Sequence, residues 1–163
     1  MYSQAGQDDF VLSLIQSGKY LEIGASHPIA INNTYLLEQN GWEGLSIDID
    51  ASNQSEWNQV RKNRLMICDA LAYPYALHGN VDYLQIDIDP SEQSLRCLIK
   101  ILTAELKFKV LTFEHDHYAG GNVREVSREL LTNAGYHLSH PDVSTGGLIF
   151  EDWWINETLK NKL

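Results

Sequence analysis

Five short apolar runs in the first 114 residues each stop at a glycine or an acidic residue. They are Tyr20–Ile23 before Gly24, Gly44–Asp50 with Asp48 near its end, Arg64–Cys68 before Asp69, Asp82–Ile88 with Asp87 and then Asp89, and Lys107–Glu114. Segments of helical pattern lie before and between most of them: Asp9–Gln16, Asn33–Asn40 closed by Gly41, Ser52–Arg61 with Ser52 or Asn53 as its cap, and Ser91–Leu102. A further helix, Val123–Ala134, stops at Gly135. Strands alternating with helices predict parallel crossovers and a sheet covered on both faces. Two last strands, Tyr136–Ser139 and Gly147–Glu151, flank a polar turn at Pro141–Gly146. That connection is too short for a parallel crossover and predicts an antiparallel hairpin. The long irregular stretch Asp69–Val81 is a candidate functional loop.

A chain of 163 residues predicts one α/β domain over 1–163. The net charge of −10, with only 12 lysines and arginines, repels phosphate backbones and anionic lipid. Nucleic acid and membrane are therefore not the expected partners. The polar, acidic N-terminus lacks a secretory pattern and points to the cytoplasm. Cys68 and Cys97 have no metal-site spacing and are expected to be buried thiols.

In an open α/β sheet, ligands bind beyond the carboxyl ends of the strands. Gly24, Ala25, Asp48, Asp69, Asp87, Asp89, Glu114, His115, Asp116 and His117 all fall there. Asp48 follows Gly24 by 24 residues, a distance at which an acid accepts both hydroxyls of a ribose. The acid-tipped rim favours a ribose-bearing ligand, a cation, or both. A nicotinamide dinucleotide fits poorly, because the turn has only Gly24 where a pyrophosphate needs G-x-G-x-x-G.

Ser3-Gln4-Ala5-Gly6-Gln7-Asp8-Asp9-Phe10, Glu22-Ile23-Gly24-Ala25, Asn33-Thr34-Tyr35-Leu36-Leu37-Glu38 and Gly41-Trp42-Glu43-Gly44 resemble the FkbM-type methyltransferases. So do Asp82–Asp89, Phe113-Glu114-His115 and Glu151-Asp152-Trp153-Trp154, in the same order along the chain. The resemblance implies a Rossmann-like class I methyltransferase fold, with seven strands in the order 3-2-1-4-5-7-6 and the seventh antiparallel. It implies S-adenosylmethionine as cofactor, with Glu22 near the methionine amino group, Gly24 and Ala25 under the cofactor, and Asp48 on the ribose. Asp69 would face the adenine amine, Asp87 the sulfonium end, and Gln7 would reach in from the N-terminal segment. The turn departs from the family pattern at Ser26-His27-Pro28, where a third glycine is usual. Proline cannot take a positive φ, so a different path is expected there.

Methyl transfer needs an acceptor held in line with the donor and freed of its proton. His115 and His117 are the candidate bases, since imidazole titrates near neutrality. Asp89, Glu114 and His115 form a candidate set for Mg²⁺ or Mn²⁺, occupying rim positions like those of metal-dependent O-methyltransferases. The expected acceptor is a hydroxyl of a small molecule or glycan. The alternative is a catalytically impaired module of the same fold that binds a nucleoside or a partner. Trp153 and Trp154, adjacent on one strand, are expected to face opposite sides of the sheet.

Overall fold

A computed structural model of the protein describes residues 2–162. One sheet of seven strands runs in the order β3-β2-β1-β4-β5-β7-β6. The strands are β1 (Lys19–Ile23), β2 (Glu43–Asp48), β3 (Arg64–Ile67), β4 (Tyr83–Ile86), β5 (Val110–Glu114), β6 (His137–Thr145) and β7 (Leu148–Ile155). The first five are parallel, while β7 lies antiparallel between β5 and β6. The helices are α1 (Gln7–Leu14), α2 (Tyr35–Gln39), α3 (Gln54–Val60), α4 (Ser91–Thr103) and α5 (Val123–Asn133). The stretch after β3 is two short 3₁₀ turns, Ala70–Ala72 and Tyr75–Leu77. Among the described residues, no helix is long and apolar enough to cross a membrane.

The period-2 alternation of a strand sorts the core into two layers. Leu21, Ile23, Leu84, Ile86, Leu111, Phe113 and Trp154 meet Leu98 and Ile101 of α4 and Leu131 of α5. Tyr20, Tyr83, Val110, Trp153 and Ile155 meet Phe10, Val11 and Leu14 of α1 and Leu37 of α2. Trp153 and Trp154 are thus both buried, one on each face, as alternation requires. The second face also carries a row of polar residues in register. Ser46 pairs with Glu22, Glu22 with Gln85, and Gln85 with Thr112. All four are buried, and the row lies one pleat below the carboxyl-end rim.

The terminal hairpin is longer than the sequence predicts. Strand β6 runs through Pro141 to Thr145, and Gly146 and Gly147, both at positive φ, make the turn. Two residues at positive φ suit the tight hairpin turn that matches strand twist. Proline is tolerated because β6 is an edge strand and its pairing with β7 is broken by register shifts around His140 and Val143.

Candidate functional site

Two cavities open at the carboxyl ends of β1, β2 and β4, and they share Gly24, Asp48, Ile49, Ile88 and Asp89. The smaller, about 290 Å³, is also walled by Cys68, Asp69, Leu71 and Gln93. The larger, about 770 Å³, is walled by Glu22, Ala25, His27, Asn33, Asp87 and Glu114, among others.

Gly24 sits where the two meet, and its backbone is dictated by packing. Its φ is +81°, and a Cβ there would stand 1.6 Å from the carbonyl oxygen of Asp87. Only a residue without a side chain lets the β1 turn lie against the end of β4. The turn is held by the Gly24 N–H donating to the Ile47 carbonyl at 2.9 Å.

Beyond Gly24 the chain takes its sharp bends at Ser26 (φ +49°) and Ile31 (φ +53°), not at the proline. Asp48 fixes the first bend, its Oδ2 accepting from Ser26 N–H at 2.7 Å while Oδ1 accepts from Asp50 N–H at 2.8 Å. A carboxylate has about four lone-pair sites, so two remain for a ligand. His27 Nδ1 accepts from the amides of Ile29 and Ala30, which makes this histidine a turn former with its proton on Nε2. Pro28 is buried, and its carbonyl accepts from Arg61 Nη1 at 2.9 Å. The rest of the Arg61 guanidinium bonds Glu38, Asn32, Tyr20 and Thr34, and it lies 4.3 Å from the Trp57 ring. This buried arginine, from the end of α3, ties loop 25–34 to α2 and β1.

Glu22 is buried in the polar row, accepting from Ser46 Oγ at 2.6 Å and Thr34 Oγ1 at 2.8 Å. Burial raises its pKa, with Arg61 and those hydroxyls opposing. Asp87 and Glu114 follow the register partners Ile86 and Phe113 at the tips of β4 and β5, and both wall the larger cavity. Burial, the Asp87 carboxylate and Asp116 hold the Glu114 carboxyl far above the ordinary range. Asp87 is also raised, by burial and by Asp89 and Asp116, so the pair keeps a proton near neutral pH. Two carboxyls this close cannot both ionise cheaply.

Gln7, His115 and His117 wall neither cavity. The Gln7 Nε2 donates to Glu151 at 2.8 Å and its Oε1 accepts from Ala5 N–H at 2.8 Å. Gln4 reaches the larger cavity instead. The metal set Asp89, Glu114 and His115 is not brought together. Glu114 and His115 are adjacent at a strand end, so alternation turns them to opposite faces. His115 is buried on the α5 side, with Nε2 3.5 Å from Asp152 and Nδ1 accepting from His117 N–H at 3.3 Å. Among the described residues, ligand-like spacing occurs at His115, Asp142 and Asp152, within 4.8 Å of one another. Arg128 already bonds both of those carboxylates, and Arg124 bonds Asp142. Both imidazole nitrogens of His115 face protein groups, so it is not placed as a base at the cavity. His117 lies in the short turn His117–Ala119, outside both cavity walls.

The sequence reasoning missed Gln93 and Ile49. The Gln93 Oε1 is buried without a hydrogen-bond partner and borders the smaller cavity. Ile49 is 73% exposed and walls both cavities. A large apolar side chain left out at a pocket mouth was a readable signal, since it follows Asp48 directly.

No protein-family model matches this sequence, and no curated protein matches it. Solved structures do. An rRNA methylase from Streptococcus thermophilus matches with a TM-score of 0.65 at 10% identity, over 96% of this chain and 98% of its own. A TehB-like S-adenosylmethionine-dependent methyltransferase from Corynebacterium glutamicum gives 0.61 at 18% identity, over 93% and 86%. Magnesium protoporphyrin IX methyltransferase from Synechocystis, with its cofactor bound, gives 0.64 at 16%, over 93% and 78%. Together with the strand order, these matches define the fold as that of the Rossmann-like class I methyltransferases.

Proposed function

We propose that this chain is an S-adenosylmethionine-dependent methyltransferase of the FkbM type, acting on a small acceptor. The observation that carries the reading is the meeting of two cavities at Gly24 and Asp48, one with a nucleoside's complement of acceptors. Residues of the smaller cavity fit an adenosine. Asp48 retains lone pairs for the two ribose hydroxyls, while Asp69 and the orphaned Gln93 Oε1 suit an exocyclic amine. Ile49, Ile88 and Leu71 supply apolar surface for a ring. Glu22, Gly24 and Ala25 lead into the larger cavity, where the methionine part would lie beside Asp87.

When bound, the cofactor supplies an electrophilic methyl group. The chain's own share is to orient donor and acceptor and to take up a proton. Holding two reactants in a near-attack arrangement is worth on the order of 7–11 kcal/mol. The Asp87–Glu114 pair is the base at hand, since neither His115 nor His117 walls the cavity. Among the described residues, no lysine or arginine walls either cavity, and the net charge is −10. Those charges disfavour a polyanionic acceptor such as RNA, on which the similar Streptococcus thermophilus enzyme is named to act.

Calorimetric titration with S-adenosylmethionine and S-adenosylhomocysteine tests the reading. Both are expected to bind the native chain, and Asp48→Ala is expected to weaken binding at least ten-fold. Loss of charged hydrogen bonds of about 1.5–3 kcal/mol each predicts at least that much. An absence of binding, or equal binding by Asp48→Ala, overturns it and leaves an interaction module of the same fold.

A further inference from the structure

The larger cavity has walls of one electrostatic sign. Glu22, Asp48, Asp50, Asp87, Asp89 and Glu114 all border it, and among the described residues its only basic side chain is His27, committed to its own turn. Asp48 and Asp50 are partly satisfied by backbone amides and Glu22 by hydroxyls. Among the described residues, Asp89 has neither a side-chain hydrogen bond nor an ion pair, and it stands exposed on the cavity wall. Independently of the carboxyls, Asn33 also borders the cavity. It is 8% exposed, and its Oδ1 is buried without any hydrogen-bond partner. A buried acceptor left unpaired costs about 1–3 kcal/mol, a cost that a donor-bearing ligand removes. The carboxylate of Asp89 and the unpaired Asn33 Oδ1 both suit a ligand that brings N–H donors and positive charge.

We infer that the acceptor is a cationic amine, methylated on nitrogen and recognised by Asn33, Asp89 and the Asp87–Glu114 pair; this rests on the methyl-transfer reading above. The direction of charge movement supports nitrogen over oxygen. An ammonium group is drawn in by the carboxylates and gives one proton to the Asp87–Glu114 pair, becoming a neutral amine. Its lone pair then forms the N–C bond to the sulfonium methyl as the S–C bond breaks, and that electron pair stays on sulfur. Positive charge thus passes from sulfur to nitrogen, and the Asp89 carboxylate on the same wall favours it once the pair has taken the proton. A hydroxyl attacking as an alkoxide would instead build negative charge against the same wall.

The test uses the full chain saturated with S-adenosylhomocysteine and three matched probe pairs: ethylamine and ethanol, 2-phenylethylamine and 2-phenylethanol, tryptamine and tryptophol. Calorimetry is expected to find at least one amine binding ten-fold or more tighter than its alcohol. Glu114→Gln and Asp89→Asn are each expected to cut that preference to less than three-fold. Asp89 is exposed, so its variant keeps the test valid if Glu114→Gln fails to fold. With methyl-labelled S-adenosylmethionine, label is expected in the amine fraction. Equal or undetectable binding across all pairs, a preference for the alcohols, or label on an alcohol overturns the inference. Failure to bind S-adenosylhomocysteine at all defeats the methyl-transfer reading instead, so the two failures are told apart.

Discussion

Glu114 and Glu151 stand directly opposite each other on the antiparallel strands β5 and β7, two carboxyls with no lysine or arginine paired to either among the described residues. Glu151 is buried, and Gln7 and Trp153 both donate to its Oε2. Burial, and then the nearby Asp87 carboxylate against those hydrogen bonds, pushes Glu151 up to about 8 from an ordinary 4.5. The folded chain therefore holds this proton where the unfolded chain has released it. Between those two values the native state binds more protons, so stability falls as pH rises. The melting temperature is expected to decline from pH 5 toward pH 8, a loss of a few kcal/mol. Scanning calorimetry across that range checks it: Glu151→Gln should flatten the decline and melt above the native chain at pH 8.

Gly24→Ala is expected to cost about 3 kcal/mol or more, because it adds a steric clash to a positive φ. For a chain of this size that lowers the melting temperature by roughly 6–12 °C. Gly41 is the control, with a similar φ of +84° and nothing within 4 Å of an added Cβ. Gly41→Ala should cost about 1 kcal/mol. Equal losses in the two variants contradict the close approach to Asp87.

Arg61 meets five different residues with one planar fork. Arg61→Lys cannot reproduce that geometry. Arg61→Ala is expected to destabilise by about 3–5 kcal/mol, as removal of one member of a buried pair does. Urea unfolding measures it, and both variants should also weaken nucleoside binding, because loop 25–34 loses its anchor.

Arg128 makes a two-pronged contact with the buried carboxylate of Asp152, at 2.8 Å on each oxygen. Burial would raise this acid, but Arg128, with help from His115, holds it at about 2 against an ordinary 3.8. Its contribution is present above pH 4 and is lost as pH falls through that interval. Arg128→Ala should cost about 3–5 kcal/mol at pH 7. Adding Asp152→Asn should recover at least half of that loss in urea unfolding.

Much of this was readable in the sequence, and the gaps have physical causes. Short runs ending in acids located the rim at Asp48, Asp69 and Asp87, because strand alternation and crossover handedness leave few other arrangements. Pro141 looked like a turn residue, since the edge position that tolerates it is a property of the finished sheet. His115 looked available because it neighbours Glu114. Adjacency along a strand means opposite faces, and Asp116 at φ +46° then redirects the chain in a way no periodicity reveals. Gln85 and Thr112 sit in mid-strand among apolar residues, and their pattern becomes visible only once the strands are laid in register.

The turn that presents Glu114 hangs on the final strand. His115 N–H and Asp116 N–H both donate to the carbonyl of Phe150, at 2.7 and 3.0 Å. A shift of the β7 backbone at Phe150 would therefore move the turn that carries Glu114 without touching any wall of the smaller cavity. Glu114 thus answers to a strand on the far side of β5 from β1 and the smaller cavity.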